Sequence, residues 1–257
     1  MIEVRNITFS YDDRRVLEDI SFSIGKQEKV VLLGVNGSGK STLLKMLNGL
    51  IFPDTGTISY HGEAITKKRL RQKAFNRNFR SDVVLLFQHP DMMIFNPTVF
   101  DEIAFGLRQL RMGNIEDRVR TWADRLGIYK YLDTPPFNLS GGEKQKMCLA
   151  SLLVLEPETL LLDEPTSSLD PRSTGWLIDF LSQLDLTTLI TTHNLSLAQE
   201  FGTRCLILSE EHRLIYSGEL APFLQDTEKL IQANLVHSHR HVHGPVDHEH
   251  FHIHQWD

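Results

Sequence analysis

Two rhythms of apolar positions divide the chain. IEVRNITFSY (2–11) and VLEDISFSI (16–24) alternate apolar with polar residues, the period of strands buried on one face. KVVLLG (29–34), VVLLFQ (83–88), TLLLDEP (159–165) and TLITTH (188–193) are instead short continuous apolar runs, as in strands covered on both faces. TISYHGEAI (57–65) reads as a further hairpin strand after the turn signal Pro53-Asp54-Thr55-Gly56, and CLILSE (205–210) with LIYSG (214–218) as a last hairpin. STLLKMLNGL (41–50) and Gly141–Leu155 carry helical patterns, and so do residues 98–133 with a break at Gly113-Asn114. The basic stretch 66–80 reads as helix or loop. Strands alternating with helices predict an α/β fold, and the antiparallel N-terminal part predicts a mixed sheet.

This pattern stops near Leu235, where the sequence becomes VHSHRHVHGPVDHEHFHIHQWD. Residues 1–235 are therefore expected to form the folded unit and 236–257 a His-rich tail. The formal net charge of -6, from 27 basic and 33 acidic residues, supplies no excess to neutralise phosphates, so no nucleic-acid partner is expected. The basic run Lys67, Lys68, Arg69, Arg71, Lys73, Arg77 and Arg80 reads as a solvated face. Two cysteines, Cys148 and Cys205, make no disulfide framework and point to a reducing compartment. MIEVRNITFSYDDRR has no apolar leader core, and no window approaches about 18 uninterrupted apolar residues. Any membrane spans are expected from a partner.

Candidate chemistry begins at Gly34-Val35-Asn36-Gly37-Ser38-Gly39-Lys40-Ser41, which fits G-x-x-x-x-G-K-[ST] between a strand and a helix. Glycines let the backbone wrap closely, so that successive N–H groups and the helix N-terminus face phosphate oxygens. Lys40 is placed to reach the β and γ phosphates, and the Ser41 hydroxyl to reach Mg²⁺. The run Leu160-Leu161-Leu162 ends in Asp163, suited to Mg²⁺, and Glu164, suited to polarising a water. A second anion cradle is expected at Ser140-Gly141-Gly142, where a hydroxyl and free N–H groups open a helix.

With these residues in view, the sequence resembles the ABC ATPase family. GVNGSGKST (34–42) is similar to its Walker A motif, LSGGEKQ (139–145) to its signature, LLLDEP (160–165) to Walker B and SSLD (167–170) to the D-loop. His193 resembles the switch histidine, Gln88 the Q-loop glutamine and Tyr11 the aromatic residue that stacks on adenine. The resemblance implies a P-loop cassette with a mixed central sheet, an N-terminal antiparallel β part and a helical signature subdomain over about 92–155. It implies ATP binding by Tyr11, Gly34, Asn36, Gly37, Ser38, Gly39, Lys40, Ser41, Thr42 and Asp163. It further implies Mg²⁺ at Ser41, Gln88 and Asp163, and catalysis by Glu164, His193 and Gln88. A second cassette is expected to close on the same ATP with Ser140, Gly141 and Gly142, making a homodimer with two sites. The place implied is the cytoplasmic face of the cell membrane, peripherally, on a membrane-spanning transporter subunit.

Gln88-His89-Pro90-Asp91 and Asn96–Gly106 resemble the energy-coupling-factor subgroup, with its cobalt and nickel importer ATPases. Met92-Met93 departs from that pattern and stands open between core packing and a docking surface. In the tail, His237, His239, His241 and His243 alternate with other residues, as do His248, His250, His252 and His254. Alternate residues of an extended segment share a face, and Gly244-Pro245 can fold the two runs together. Neutral imidazole suits Ni²⁺, Cu²⁺ and Zn²⁺ without choosing between them, and the subgroup resemblance adds Co²⁺ and implies nickel or cobalt, so a Ni²⁺, Co²⁺ or Zn²⁺ tail site is the expectation. The expected function is ATP hydrolysis driving cobalt or nickel import. The alternatives are a vitamin or other small solute as cargo, a soluble ABC ATPase, and a metal-storage protein with a secondary ATPase.

Overall fold

The computed structural model describes residues 1–243 and 246–253 and divides the chain into two compact units. The first comprises residues 1–66 and the chain from Leu189 onward; the second comprises Lys67–Thr188.

The first unit opens with β1 (Ile2–Tyr11) and β2 (Arg14–Ile24), which pair antiparallel from Ile2↔Ile24 to Tyr11↔Arg14. Ile2, Val4 and Ile7 of β1 are buried, as are Leu17, Ile20, Phe22 and Ile24 of β2. Both series slip parity, between Val4 and Ile7 and between Leu17 and Ile20. Two residues of positive φ account for it, Asn6 (φ 47) and Asp19 (φ 51), each sitting where the register shifts. Asn6 Nδ2 donates to Asp19 Oδ1 at 2.8 Å, so the two bulges brace one another and keep apolar residues on one face.

β3 (Lys29–Gly34) leads into α1 (Lys40–Leu47), and β4 (Thr55–Tyr60) and β5 (Glu63–Ala64) complete an antiparallel sheet ordered β2-β1-β4-β5.

The second unit runs through α2 (Lys73–Asp82), β6 (Val83–Leu86), α3 (Val99–Gln109), α4 (Ile115–Arg125), α5 (Gly141–Leu153), β7 (Thr159–Leu162) and α6 (Pro171–Ser182). β6 and β7 are parallel and fully buried, with Val83↔Thr159 and Leu86↔Leu162 in register. Val99, Ile103, Ala104 and Leu107 form the apolar stripe of α3, and Met147, Ala150 and Leu153 lie in the buried part of α5. The expected break at 113–114 is a left-handed Asn114 (φ 53) that starts α4.

β8 (Thr187–Thr192), buried throughout, carries the chain back to the first unit, followed by α7 (Leu195–Phe201). β9 (Arg204–Leu208) runs parallel to β3, and β10 (Leu214–Glu219) antiparallel to β9, so this sheet is mixed through its C-terminal edge strand, whereas the N-terminal strands expected to mix it form the separate antiparallel sheet. α8 (Leu220–Gln225), α9 (Thr227–Gln232) and the antiparallel pair β11 (Val236–His243) and β12 (Val246–Ile253) close the chain. Gly244, Pro245 and His254 lie outside the described residues.

Candidate nucleotide site

β3 is buried from Val30 to Gly34, and the turn to α1 is tight. Gly39 has φ 106, and a Cβ there would come within 2.5 Å of the Val16 carbonyl oxygen and 2.9 Å of Leu17 Cδ2. Only glycine fits so close an approach to β2. Gly37 (φ 84) has open space where a Cβ would be, so its backbone alone demands glycine. Lys40 is 6% exposed, and its Nζ donates to the carbonyls of Gly34 (2.8 Å) and Val35 (3.2 Å), curling the ammonium over the loop. Ser38 Oγ is buried with no hydrogen-bond partner. An orphaned polar atom costs free energy unless a ligand oxygen satisfies it. The loop therefore fits a phosphate. Ser41 is half-buried and Thr42 buried at the head of α1, while Asn36 is exposed on the loop.

Tyr11, also in this unit, ends β1 with its ring 44% exposed and edge-on to Phe9. His193 follows β8 directly and is half-buried, and Asn194 caps α7 by accepting from Ser196 N at 3.0 Å. His212 had no role in the sequence reading. Its Nδ1 lies 3.4 Å from the Ser38 carbonyl oxygen, joining the β9–β10 turn to the phosphate loop across 174 positions.

In the second unit, β6 and β7 deliver chemistry at their matched C-terminal ends. Asp163 N donates to the Leu86 carbonyl at 2.9 Å, extending the ladder one step beyond β7. Asp163 and Glu164 are both buried, and Glu164 is held at φ 44. A glutamate in the left-handed region stores strain, a mark of functional positions. Gln88 leaves the neighbouring strand two residues past Leu86 and is half-buried. The structure thus brings Gln88, Asp163 and Glu164 to one end of a parallel strand pair, where ligands of α/β sheets bind. The Asp163 carboxylate and the Gln88 amide oxygen are donors of the kind that suits Mg²⁺, a hard cation.

Ser140 caps α5 through a capping box. Its Oγ donates to Glu143 Oε2 at 2.7 Å and accepts from Glu143 N at 3.4 Å, while Ser140 N donates to Glu143 Oε2 at 2.9 Å. A hydrogen bond from Tyr131, then those from Ser140, hold the Glu143 carboxyl down at about 2. A Cβ on Gly142 would lie 2.9 Å from Ser173 Oγ, whereas Gly141 faces open space. Buried Gln145, unassigned by sequence reasoning, donates from Nε2 to the Pro165 carbonyl at 3.1 Å, linking the signature helix to the residue after Glu164. Asp170 of the SSLD segment caps α6, accepting from Arg172 N and Ser173 N.

The segment after Gln88 is also fixed. Buried Glu102 accepts at Oε2 from Phe95 N (3.0 Å), Asn96 N (2.8 Å) and Asn96 Nδ2 (3.2 Å). This cradle leaves Met92 73% and Phe95 63% exposed, so Met92 is no core residue. The tail histidines His237, His239, His241 and His243 lie on β11, and His248, His250 and His252 on β12.

The chain is similar to known proteins along most of its length. The ABC transporter family profile matches residues 17–167. A Methanosarcina acetivorans protein whose name assigns it to the ABC transporter ATP-binding proteins is 40% identical over 99% of both chains. The energy-coupling factor transporter ATP-binding protein EcfA2 of Methanospirillum hungatei is 36% identical over 91% of this chain and 59% of its own. The solved structure of CbiO1 from Clostridium perfringens, described as part of the ABC transporter complex CbiONQ, superposes with a TM-score of 0.76. It is 29% identical and covers 91% of this chain and 94% of its own. The chain belongs to the ABC transporter family as an ATP-binding cassette that hydrolyses ATP with Mg²⁺.

Proposed function

We propose that this cassette energises a membrane importer of the energy-coupling-factor type whose cargo is cobalt or nickel. The observation that carries the reading is the likeness to CbiO1, a component of a transporter complex, along nearly the whole chain. The EcfA2 likeness supports the same subgroup. In this reading the chain works at the cytoplasmic face of the membrane. Among the described residues no helix is long and apolar enough to cross it, so the spans belong to a partner. Met92 and Phe95, exposed on a segment braced by Glu102, receive a helix of that partner, as an adaptable apolar surface does.

The residues divide the work by their chemistry. The phosphate-loop amides, Ser38 and Lys40 take the phosphates, Tyr11 stacks on the base, and Ser41, Gln88 and Asp163 hold Mg²⁺. Glu164 polarises the attacking water, and His193 orders it against the γ phosphate. Catalysis of this kind is mainly positioning and charge stabilisation. Ser140, Gly141 and Gly142 of a second copy grip the same nucleotide. ATP then closes a homodimer, and hydrolysis removes the bridging charge so that it opens. In this reading the His-rich tail binds Ni²⁺ or Co²⁺; its run of imidazoles favours a metal cargo over a vitamin.

Cells expressing the chain with membrane subunits of this type provide the test. Nickel or cobalt accumulation should depend on the chain and disappear with Glu164→Gln. Vitamin uptake with unchanged metal would overturn the cargo. Isolation in a soluble complex, with ATP turnover indifferent to any membrane subunit, would overturn the transporter reading itself.

A further inference from the structure

We infer that His212 is a positioning residue for phosphate binding, whose ring holds the Ser38–Gly39 peptide in the direction the cradle needs; this rests on the reading of residues 34–41 as the phosphate loop. The His212 Nδ1 lies 3.4 Å from the Ser38 carbonyl oxygen. A carbonyl only accepts, so the ring meets it with the proton on Nδ1. A planar trans peptide sets its C=O and N–H antiparallel. With the Ser38 carbonyl turned to the ring, the Gly39 N–H is aimed away from it. That N–H belongs to the run of amides read as facing phosphate oxygens. At 3.4 Å the contact adds little stability; what it supplies is direction.

The turn that carries His212 is itself well fixed. Ser209 N donates to the Arg213 carbonyl at 2.9 Å, and His212 N to the Ser209 carbonyl at 3.1 Å. The His212 carbonyl accepts from Glu18 N of β2 at 2.9 Å. The same stretch of β2 meets the loop, since a Cβ on Gly39 would lie 2.5 Å from the Val16 carbonyl oxygen. At the start of the loop Gly34 stands in register with Leu208 of β9, and a Cβ there would come within 2.6 Å of the Leu208 carbonyl oxygen. The end of β9 and its turn therefore meet the phosphate loop at two places, Gly34 and Ser38. His212 has φ 65 and is half-buried. Glycine takes that backbone at no steric cost, so the ring is what a histidine adds there.

Titration calorimetry of MgADP into the full chain tests this. Asparagine accepts the left-handed backbone, and its Nδ2 stands as many bonds from the main chain as histidine Nδ1, whereas glycine keeps the backbone and deletes the donor. His212→Gly should weaken MgADP binding roughly 3–10-fold, the worth of one net hydrogen bond, and His212→Asn should bind as the parent does. The loop grips phosphates alike before and during the reaction, so His212→Gly should raise the KM for ATP by a like factor with kcat unchanged. Parent-like binding in His212→Gly, or an equal loss in both variants, would overturn the inference. So would a fall in kcat at constant KM, or affinity losses that follow the denaturation midpoints of both variants. Lys40→Ala should abolish MgADP binding; if binding persists there, the phosphate-loop reading itself fails.

Discussion

Lys144 Nζ lies 2.7 Å from Asp91 Oδ1, and this ion pair ties the signature helix to the turn that follows Gln88. Asp91 is 74% exposed, so the pair contributes at most about 1 kcal/mol to stability. Its importance is positional. The turn carries exposed Met92 and the helix is capped by Ser140, so the contact links the proposed docking surface to the proposed anion cradle. Asp91→Ala should change chemical-denaturation stability by less than about 1 kcal/mol. It should leave basal ATP turnover intact and lower the stimulation given by the membrane subunit. Equal falls in basal and stimulated turnover would reject the linking role.

Gln145 joins the same helix to the strand-end carboxylates. Its amide is buried and donates to the Pro165 carbonyl. Gln145→Ala leaves that carbonyl unpaired and opens space, so it should cost about 1–3 kcal/mol. Gln145→Glu keeps the size but replaces the donor with an acceptor facing a carbonyl, and should cost more. Denaturation midpoints of the two variants give the order, and the reverse order would refute the assigned bond.

Glu143 makes the signature cradle sensitive to acid. Its carboxyl titrates at about 2, below its ordinary 4.5, because Tyr131 and then Ser140 donate to the ionised form. A depressed folded value means that the stabilisation is complete above the ordinary value. It is lost as pH falls through the window from 4.5 towards 2. Thermal unfolding should show Glu143→Gln less stable than the parent at pH 5, with the gap narrowing by pH 3. A gap constant across that range would show that the charge contributes nothing. Tyr131→Phe, which removes the largest cause, should narrow the gap partway.

Local signals made most of this fold legible, and the exceptions have physical reasons. The strand runs, α1 and the Asn114 break were readable because burial on one or both faces imposes a period. Paired bulges at Asn6 and Asp19 were not, because a parity slip within a strand looks like noise until its cross-strand partner is known. Helices α7 to α9 span six or seven residues each, too few for a period to show. For α6 the signal was present, an Asp170 cap followed by Pro171 at the first turn. Motif spacing pointed to the phosphate loop, Asp163 and Ser140. Spacing says nothing about His212 or the Gln145 bond, since both depend on contacts between distant stretches of chain.

Glu164 sets function against stability at one residue. It is buried and held at φ 44, where a side chain with a Cβ is strained and glycine is not. At ordinary positions alanine is more stable than glycine by roughly 0.5–1 kcal/mol, because glycine loses more chain entropy on folding. At this position the order should reverse, with Glu164→Gly at least as stable as Glu164→Ala in chemical denaturation. Both should lose ATP turnover, as should Glu164→Gln, by roughly 10²–10⁴-fold if the carboxylate acts as general base. Nucleotide affinity should persist, because the phosphate loop and Lys40 are untouched. Should alanine prove the more stable replacement, the backbone carries no strain. Turnover surviving in the glutamine variant would instead move the base to another residue, and these two failures are independent. The conformation persists because burial and the flanking strand ladder over-determine it, and the strain is the cost of aiming a carboxylate from the end of β7.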